Sequence, residues 1–131
     1  MTEGDVPRLQ DYLGHMLEAI GRIETYTAGL TESAFLASKL VQDAVIRNFE
    51  VIGEASRNID RRYPDFLIAH PEVPWISAYE MRNALAHGYF KVDLEIVWRT
   101  ILRDLPGMAR TVAQLRKRLD APEPPGVMTS E

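Results

Sequence analysis

Eight consecutive residues, Arg82-Asn83-Ala84-Leu85-Ala86-His87-Gly88-Tyr89, bring together a guanidinium, a carboxamide, an imidazole and a phenol. An imidazole moves a proton near neutral pH. A guanidinium keeps its charge and grips phosphate oxygens with a rigid fork of donors. The pair is a minimal set for breaking a phosphodiester without a metal. On a helix, Asn83 and His87 share a face at i, i+4, about 5–6 Å apart at Cβ. Arg82 stands roughly 140° around the axis from His87 by the 3.6-residue repeat, so its long side chain has to swing across. A plainer reading is open at this point: Arg82 and His87 cap a helix C-terminus, where cations complement the dipole.

Other chemistries have less to work with. His15, His70 and His87 lie far apart with no paired-ligand spacing, which argues against a zinc or iron site. The absence of cysteine removes disulfides, thiolate metal ligands and a cysteine nucleophile. There is no glycine-rich phosphate loop and no nucleophile elbow. The acidic residues of the second long helical segment lack the Glu-x-x-His pairing of di-iron bundles.

Charge is divided along the chain. Residues 1–81 hold 7 basic and 13 acidic side chains, whereas residues 82–119 hold 8 basic and 3 acidic. The positive half begins at Arg82, and it either attracts a polyanion or forms a solvated helix face. The N-terminus has no basic region followed by an apolar run, and no apolar stretch approaches transmembrane length. The expectation is a soluble, cytoplasmic protein with no membrane partner.

The elements that must position the motif read as helices. Asp5 and Pro7 suit a helix start, and Leu9, Leu13, Met16, Ile20 and Ile23 recur at helical spacing up to Gly29. Thr31 to Phe35 reads as a short turn of helix or a loop. From Ala37 to Arg61 a second long helix presents Val41, Val45, Ile52, Ala55 and Ile59 on one face, interrupted by Asn48. A carboxamide on an apolar face needs partners, so Asn48 is either a structural hub or part of a site. On the adjoining face Arg47, Glu50, Glu54, Arg57 and Arg61 form either a ladder of surface ion pairs or one wall of a cleft. Gly53 inside this helix implies close packing there. Tyr63-Pro64-Asp65 breaks the helix, and Pro71 and Pro74 keep the following stretch irregular. Trp75 to Ala86 is helical with Ile76, Tyr79 and Leu85 as packing residues. Asp93 starts another helix, with Leu94, Val97, Trp98, Ile101 and Leu102 on one face. Asp104 reads as the N-cap of a last helix that reaches Leu119. The expected fold is all-α: a bundle of four to five helices, one domain over residues 1–120, and a disordered proline-rich tail over 121–131.

Three blocks, in order, resemble one family. Arg82-Asn83-x-x-x-His87-x-Tyr89 is similar to the Arg-x4-His-x-Tyr motif of HepT-like toxins in the HEPN superfamily. Arg47-Asn48-Phe49-Glu50-Val51-Ile52-Gly53-Glu54-Ala55 resembles the central-helix signature, and Val92-Asp93-Leu94-x-x-Val97-Trp98 resembles the helix after the motif. The resemblance implies a metal-independent, cofactor-free ribonuclease, the toxin of a type VII-like toxin–antitoxin pair. On that reading Arg82 and His87 are the catalytic residues and Asn83 supports them, while Arg47 and Glu50 either support the same cleft or form only a structural ion pair. The resemblance also implies a homodimer with two motifs facing one cleft. The implied partner is an MntA-like nucleotidyltransferase that silences the toxin by transferring AMP to Tyr89. Two other classes stay open: a catalytically weak module that docks a nucleotidyltransferase or a nucleotide, and a helical dimerisation protein without chemistry.

Overall fold

The computed structural model describes residues 7–75, 77–78, 80–81 and 93–120, all helix or short connection. Six helices are set out here: α1 (Leu9–Thr27), α2 (Glu32–Ala37), α3 (Lys39–Arg62), α4 (Pro64–Ala69), α5 (Leu94–Arg103) and α6 (Leu105–Asp120). Helical conformation also holds at Trp75, Ser77, Ala78, Glu80 and Met81. No strand occurs among the described residues, so the all-α expectation holds. No helix among them is long and apolar enough to cross a membrane. The tail from residue 121, Ile76, Tyr79 and the N-terminal Asp5 lie outside the described residues.

The bundle is built on α1 and α3, which make the most extensive contact, with α6 closing on α1 from another side. Each helix contributes the stripe its sequence spacing predicts. Leu13, Met16, Ile20 and Ile23 of α1 are fully buried, as are Val45, Ile52 and Ile59 of α3. Val112 and Leu115 of α6 and Val97 and Ile101 of α5 join the same core. Side chains of this size each stabilise the fold by ~1.5–3 kcal/mol when removed from water. Ser56 is the exception on the α3 core face: its buried Oγ has no hydrogen-bond partner.

Caps set the ends. Helix α1 begins at Leu9, two residues beyond Pro7, where the Arg8 backbone N–H donates to Asp11 Oδ2 at 2.8 Å. That backbone bond, aided by the Arg8 guanidinium, holds the Asp11 carboxyl below the usual carboxylate range. Gly29, at φ +76°, takes the left-handed conformation that follows the helix end. Thr31 accepts from Ala34 N at 3.1 Å, so of the two readings, turn of helix or loop, the structure takes the helix, α2. Ser38 accepts from Val41 N at 3.2 Å, which starts α3 at Lys39 rather than Ala37.

Tyr63-Pro64 breaks α3 as the sequence predicts, and Pro64 also occupies the first turn of α4, which the sequence reading did not include, because a missing N–H costs nothing at a helix N-terminus. Asp104 immediately precedes the last helix, as the sequence predicts, and its carbonyl accepts from Met108 N at 3.0 Å, but it does not take the extended conformation of an N-cap. Its backbone is right-handed helical and its N–H donates to Thr100 O at 2.9 Å, so α5 runs almost directly into α6. Leu102 does not share the buried face of α5, being 58% exposed, since it falls beyond the Val97–Ile101 stripe.

Helix α2 is tied to α5 by one aromatic pair, Phe35 on Trp98, with ring centroids 5.2 Å apart and planes inclined by 30°. Phe35 is wholly buried. Phe35→Ala is expected to cost about 3–5 kcal/mol in urea denaturation, the range for deleting a buried aromatic ring. A loss under about 1 kcal/mol would show that this contact does not hold α2 in place.

Candidate functional site

The motif residues Arg82, Asn83, His87 and Tyr89 lie outside the described residues, as does Leu85. What is described is the framework on either side of them. On the upstream side, Trp75 is buried and its indole Nε1 donates to His70 O at 2.8 Å. Phe66 of α4 packs edge-on to the Trp75 ring at 6.3 Å and lies 4.5 Å from the His70 ring. This knot pins the connection from α4 and fixes where helical conformation resumes. On the downstream side, Asp93 caps α5 as the sequence predicts, accepting from Glu95 N at 2.9 Å and Ile96 N at 3.4 Å. In the chain, residues 82–92 are thus preceded by a buried aromatic contact and followed by a helix cap.

Just before Trp75 in the chain, His70 Nδ1 meets Glu72 Oε2 at 3.2 Å. The Glu72 carboxyl is held below its ordinary range, first by its own backbone N–H and then by His70, against the opposing effect of desolvation. This pair was not singled out from the sequence, because Pro71 and Pro74 made the stretch look irregular.

The α3 residues carried by the central-helix block are visible. Arg47 Nη1 lies 3.6 Å from Glu50 Oε1, with side chains 72% and 27% exposed. Together with Glu54, Val51 and Asn58 they form one wall of a groove of about 270 Å³, whose other wall is Tyr12 and His15 of α1. The Tyr12 and His15 rings meet edge-on at 6.2 Å. The structure thus brings Arg47, Glu50 and Glu54 to one groove and adds His15, which spacing along the chain gave no reason to include.

Asn48 is a local structural group. It is buried, and its Nδ2 donates to Ala44 O at 2.9 Å, one turn earlier in its own helix. Gln42, also buried, plays a longer-range part by donating to Phe35 O and Leu36 O, both at 3.0 Å, which locks α2 onto α3. Gly53 is buried within α3, as close packing requires. Among the described residues there is no group of three or more His, Asp or Glu side chains placed to hold a metal ion.

A second, larger cavity of about 480 Å³ opens where α3, the Ser77–Met81 stretch, and the α5–α6 junction meet. Met81, the residue immediately before Arg82, lies in its wall.

Residues 16–115 match the family described as Ribonuclease HepT-like, and the chain belongs to that family. It is 44% identical over 108 residues to a Thermococcus cleftensis protein named "Probable ribonuclease HepT", covering 82% of this chain and 96% of that protein. It is 34% identical to a candidate RNase of Methanocaldococcus jannaschii, covering 83% and 88%. A further M. jannaschii protein, 39% identical, joins a candidate RNase to a gamma-glutamylcyclotransferase, and the chain spans 48% of its length. No solved structure matches the chain.

The exposed Arg47–Glu50 contact spans an i, i+3 step, so it stabilises the fold by less than about 1 kcal/mol. Arg47→Ala is accordingly expected to leave the denaturation midpoint nearly unchanged. A large destabilisation would make Arg47 structural and remove it from the candidate site.

Proposed function

We propose that the protein is an RNA endonuclease that needs no metal, and that it is the toxin of a toxin–antitoxin pair. The observation that carries this reading is the Arg82–His87 motif in a chain whose residues 16–115 match the HepT-like ribonuclease family. The relative named as a ribonuclease at 44% identity supports it.

The chemistry follows from the residue types. One imidazole takes the proton from a ribose 2′-hydroxyl, and the 2′-oxygen attacks the adjacent phosphorus. The P–O5′ bond breaks, leaving a 2′,3′-cyclic phosphate and a 5′-hydroxyl whose oxygen takes a proton from an imidazolium. Arg82 holds the non-bridging oxygens as charge builds on phosphorus. Asn83 orients the imidazole or donates to the phosphate. A chain offers one motif histidine, so a two-fold symmetric dimer supplies the second imidazole. Arg47 and Glu50 line the approach to this cleft. The domain spans residues 1–120, with the remainder a tail.

Silencing uses Tyr89. An MntA-like nucleotidyltransferase transfers AMP from ATP to the phenol oxygen and releases pyrophosphate. The attached phosphodiester then occupies the guanidinium that RNA needs and repels the incoming strand.

Cleavage of single-stranded RNA is expected to persist in EDTA and to fall ~10²–10⁴-fold in His87→Ala, the usual contribution of a general acid–base group. Arg82→Ala should lose most activity while keeping its circular dichroism spectrum. A 2′-deoxy substitution at the cleavage position should block the reaction. Chelator-sensitive cleavage, or full activity in His87→Ala, defeats the mechanism.

Light scattering at micromolar concentration should give about 30 kDa, twice the 14.9 kDa chain. Incubation with the nucleotidyltransferase, ATP and Mg²⁺ should add AMP to Tyr89, and Tyr89→Phe should cleave RNA yet escape silencing. Modification mapped to another residue removes Tyr89 from the regulation.

A further inference from the structure

We infer that the cavity of about 480 Å³ beside Met81 is a nucleobase subsite, which holds one amino-bearing base of the RNA strand next to the scissile phosphate. The inference rests on the ribonuclease reading for its substrate, and it adds where the strand is gripped and which bases are preferred.

Its floor is apolar and fixed. Phe49 and Ile52 of α3 and Met108 of α6 line it and are buried in the core, so the floor is a surface the fold has already made. A flat aromatic base gains by covering such a surface, as unstacked RNA bases do on protein platforms. The volume lies in the ~300–1,000 Å³ range of small-ligand sites. Thioether and aromatic side chains in the floor suit a polarisable ring.

The rim is polar and divided in function. Exposed Arg103 stands at the end of α5, placed to meet the phosphate of the nucleotide whose base enters the cavity. Glu72 and Asp104 stand at the rim as carboxylates, which only accept hydrogen bonds. Glu72 meets His70 through Oε2, and its depressed titration keeps it ionised at neutral pH. The Thr100 hydroxyl already donates to Ile96 O at 2.8 Å, so it too faces the cavity as an acceptor. An edge made of acceptors favours adenine, cytosine or guanine, which present exocyclic N–H donors. Uracil offers a single N–H between two carbonyls that the carboxylates repel.

Position links the cavity to the reaction. Met81 forms part of the wall and Arg82 is the next residue in the chain, so the cavity adjoins the residue at which the motif begins.

Gly107 provides a clean test. It lines the cavity, and a Cβ added there meets only Arg110 Nη2, at an ordinary 3.8 Å. Gly107→Leu therefore adds bulk at a lining position whose Cβ meets no core atom, and it replaces a poor helix former in α6. Titration calorimetry with AMP, CMP and UMP as probes should show AMP and CMP binding the full-length parent more tightly than UMP. Gly107→Leu should abolish binding of all three with an unchanged circular dichroism spectrum. Arg103→Gln should weaken the monophosphates more than the nucleosides adenosine and cytidine, and it stands as the second variant should Gly107→Leu misfold. In RNA cleavage, Gly107→Leu should raise KM about tenfold, the order expected for losing one base contact, with kcat changed far less. Equal nucleotide binding by parent and Gly107→Leu, or UMP bound as tightly as AMP and CMP, overturns the assignment. His87-dependent cleavage with an unaltered KM in Gly107→Leu rejects the subsite and leaves the ribonuclease reading standing. Nucleotide binding lost in Gly107→Leu without any RNA cleavage by the parent keeps the subsite and rejects the ribonuclease reading.

Discussion

The apolar contact between α1 and α3 is the constraint on which the other elements depend. Both helices are long enough to carry several turns of buried side chains, from Leu13 to Ile23 on one and from Val45 to Ile59 on the other. Short helices are marginal alone and borrow their stability from packing. Here α2 and α4, of six residues each, stay folded because Phe35 sits in the core and Phe66 packs against it. Removing the long-helix contact would leave neither of them a surface to rest on.

Helix α3 then serves three surfaces at once. Its core face meets α1; one flank carries Arg47, Glu50 and Glu54 into the α1 groove; Phe49 and Ile52 reach the cavity near Met81. A rigid helix of 24 residues can hold side chains of different function at fixed offsets around one axis. That explains why polar and apolar residues crowd its sequence, and why Asn48 on the core face satisfies its amide within the helix. Arg116 shows the same economy on α1: its guanidinium lies where a side chain at Gly14 would stand, 3.1 Å from the position of an added Cβ.

The indole of Trp75 and the carboxylate of Asp93, which precede and follow residues 82–92 in the chain, are held by bonds to backbone groups, which do not depend on salt or on long flexible side chains. Basic side chains outnumber acidic ones, 8 to 3, over residues 82–119.

Much of this was legible along the chain. Helical spacing of Leu13, Met16, Ile20 and Ile23 determined α1, because a 3.6-residue period can be read without knowing what the stripe meets. Asp93 determined the start of α5, since capping acts between neighbours in sequence. The Arg82–His87 motif and its family resemblance were likewise complete in the sequence. Residues whose roles come from other elements were not legible. Asp104 looked like a cap, but the near-continuity of α5 and α6 put it in helical conformation. Leu102 counted as apolar and proved exposed, because which side of α5 is buried is decided by Phe35 against Trp98. His15 entered the groove only when α1 lay beside α3, and the wall formed by Phe49, Met81, Arg103 and Met108 joins residues from four places in the chain. Local periods and caps are interactions within a few residues, so sequence alone sets them. Grooves and cavities are made by the approach of distant segments, and only tertiary packing decides which side chains they share.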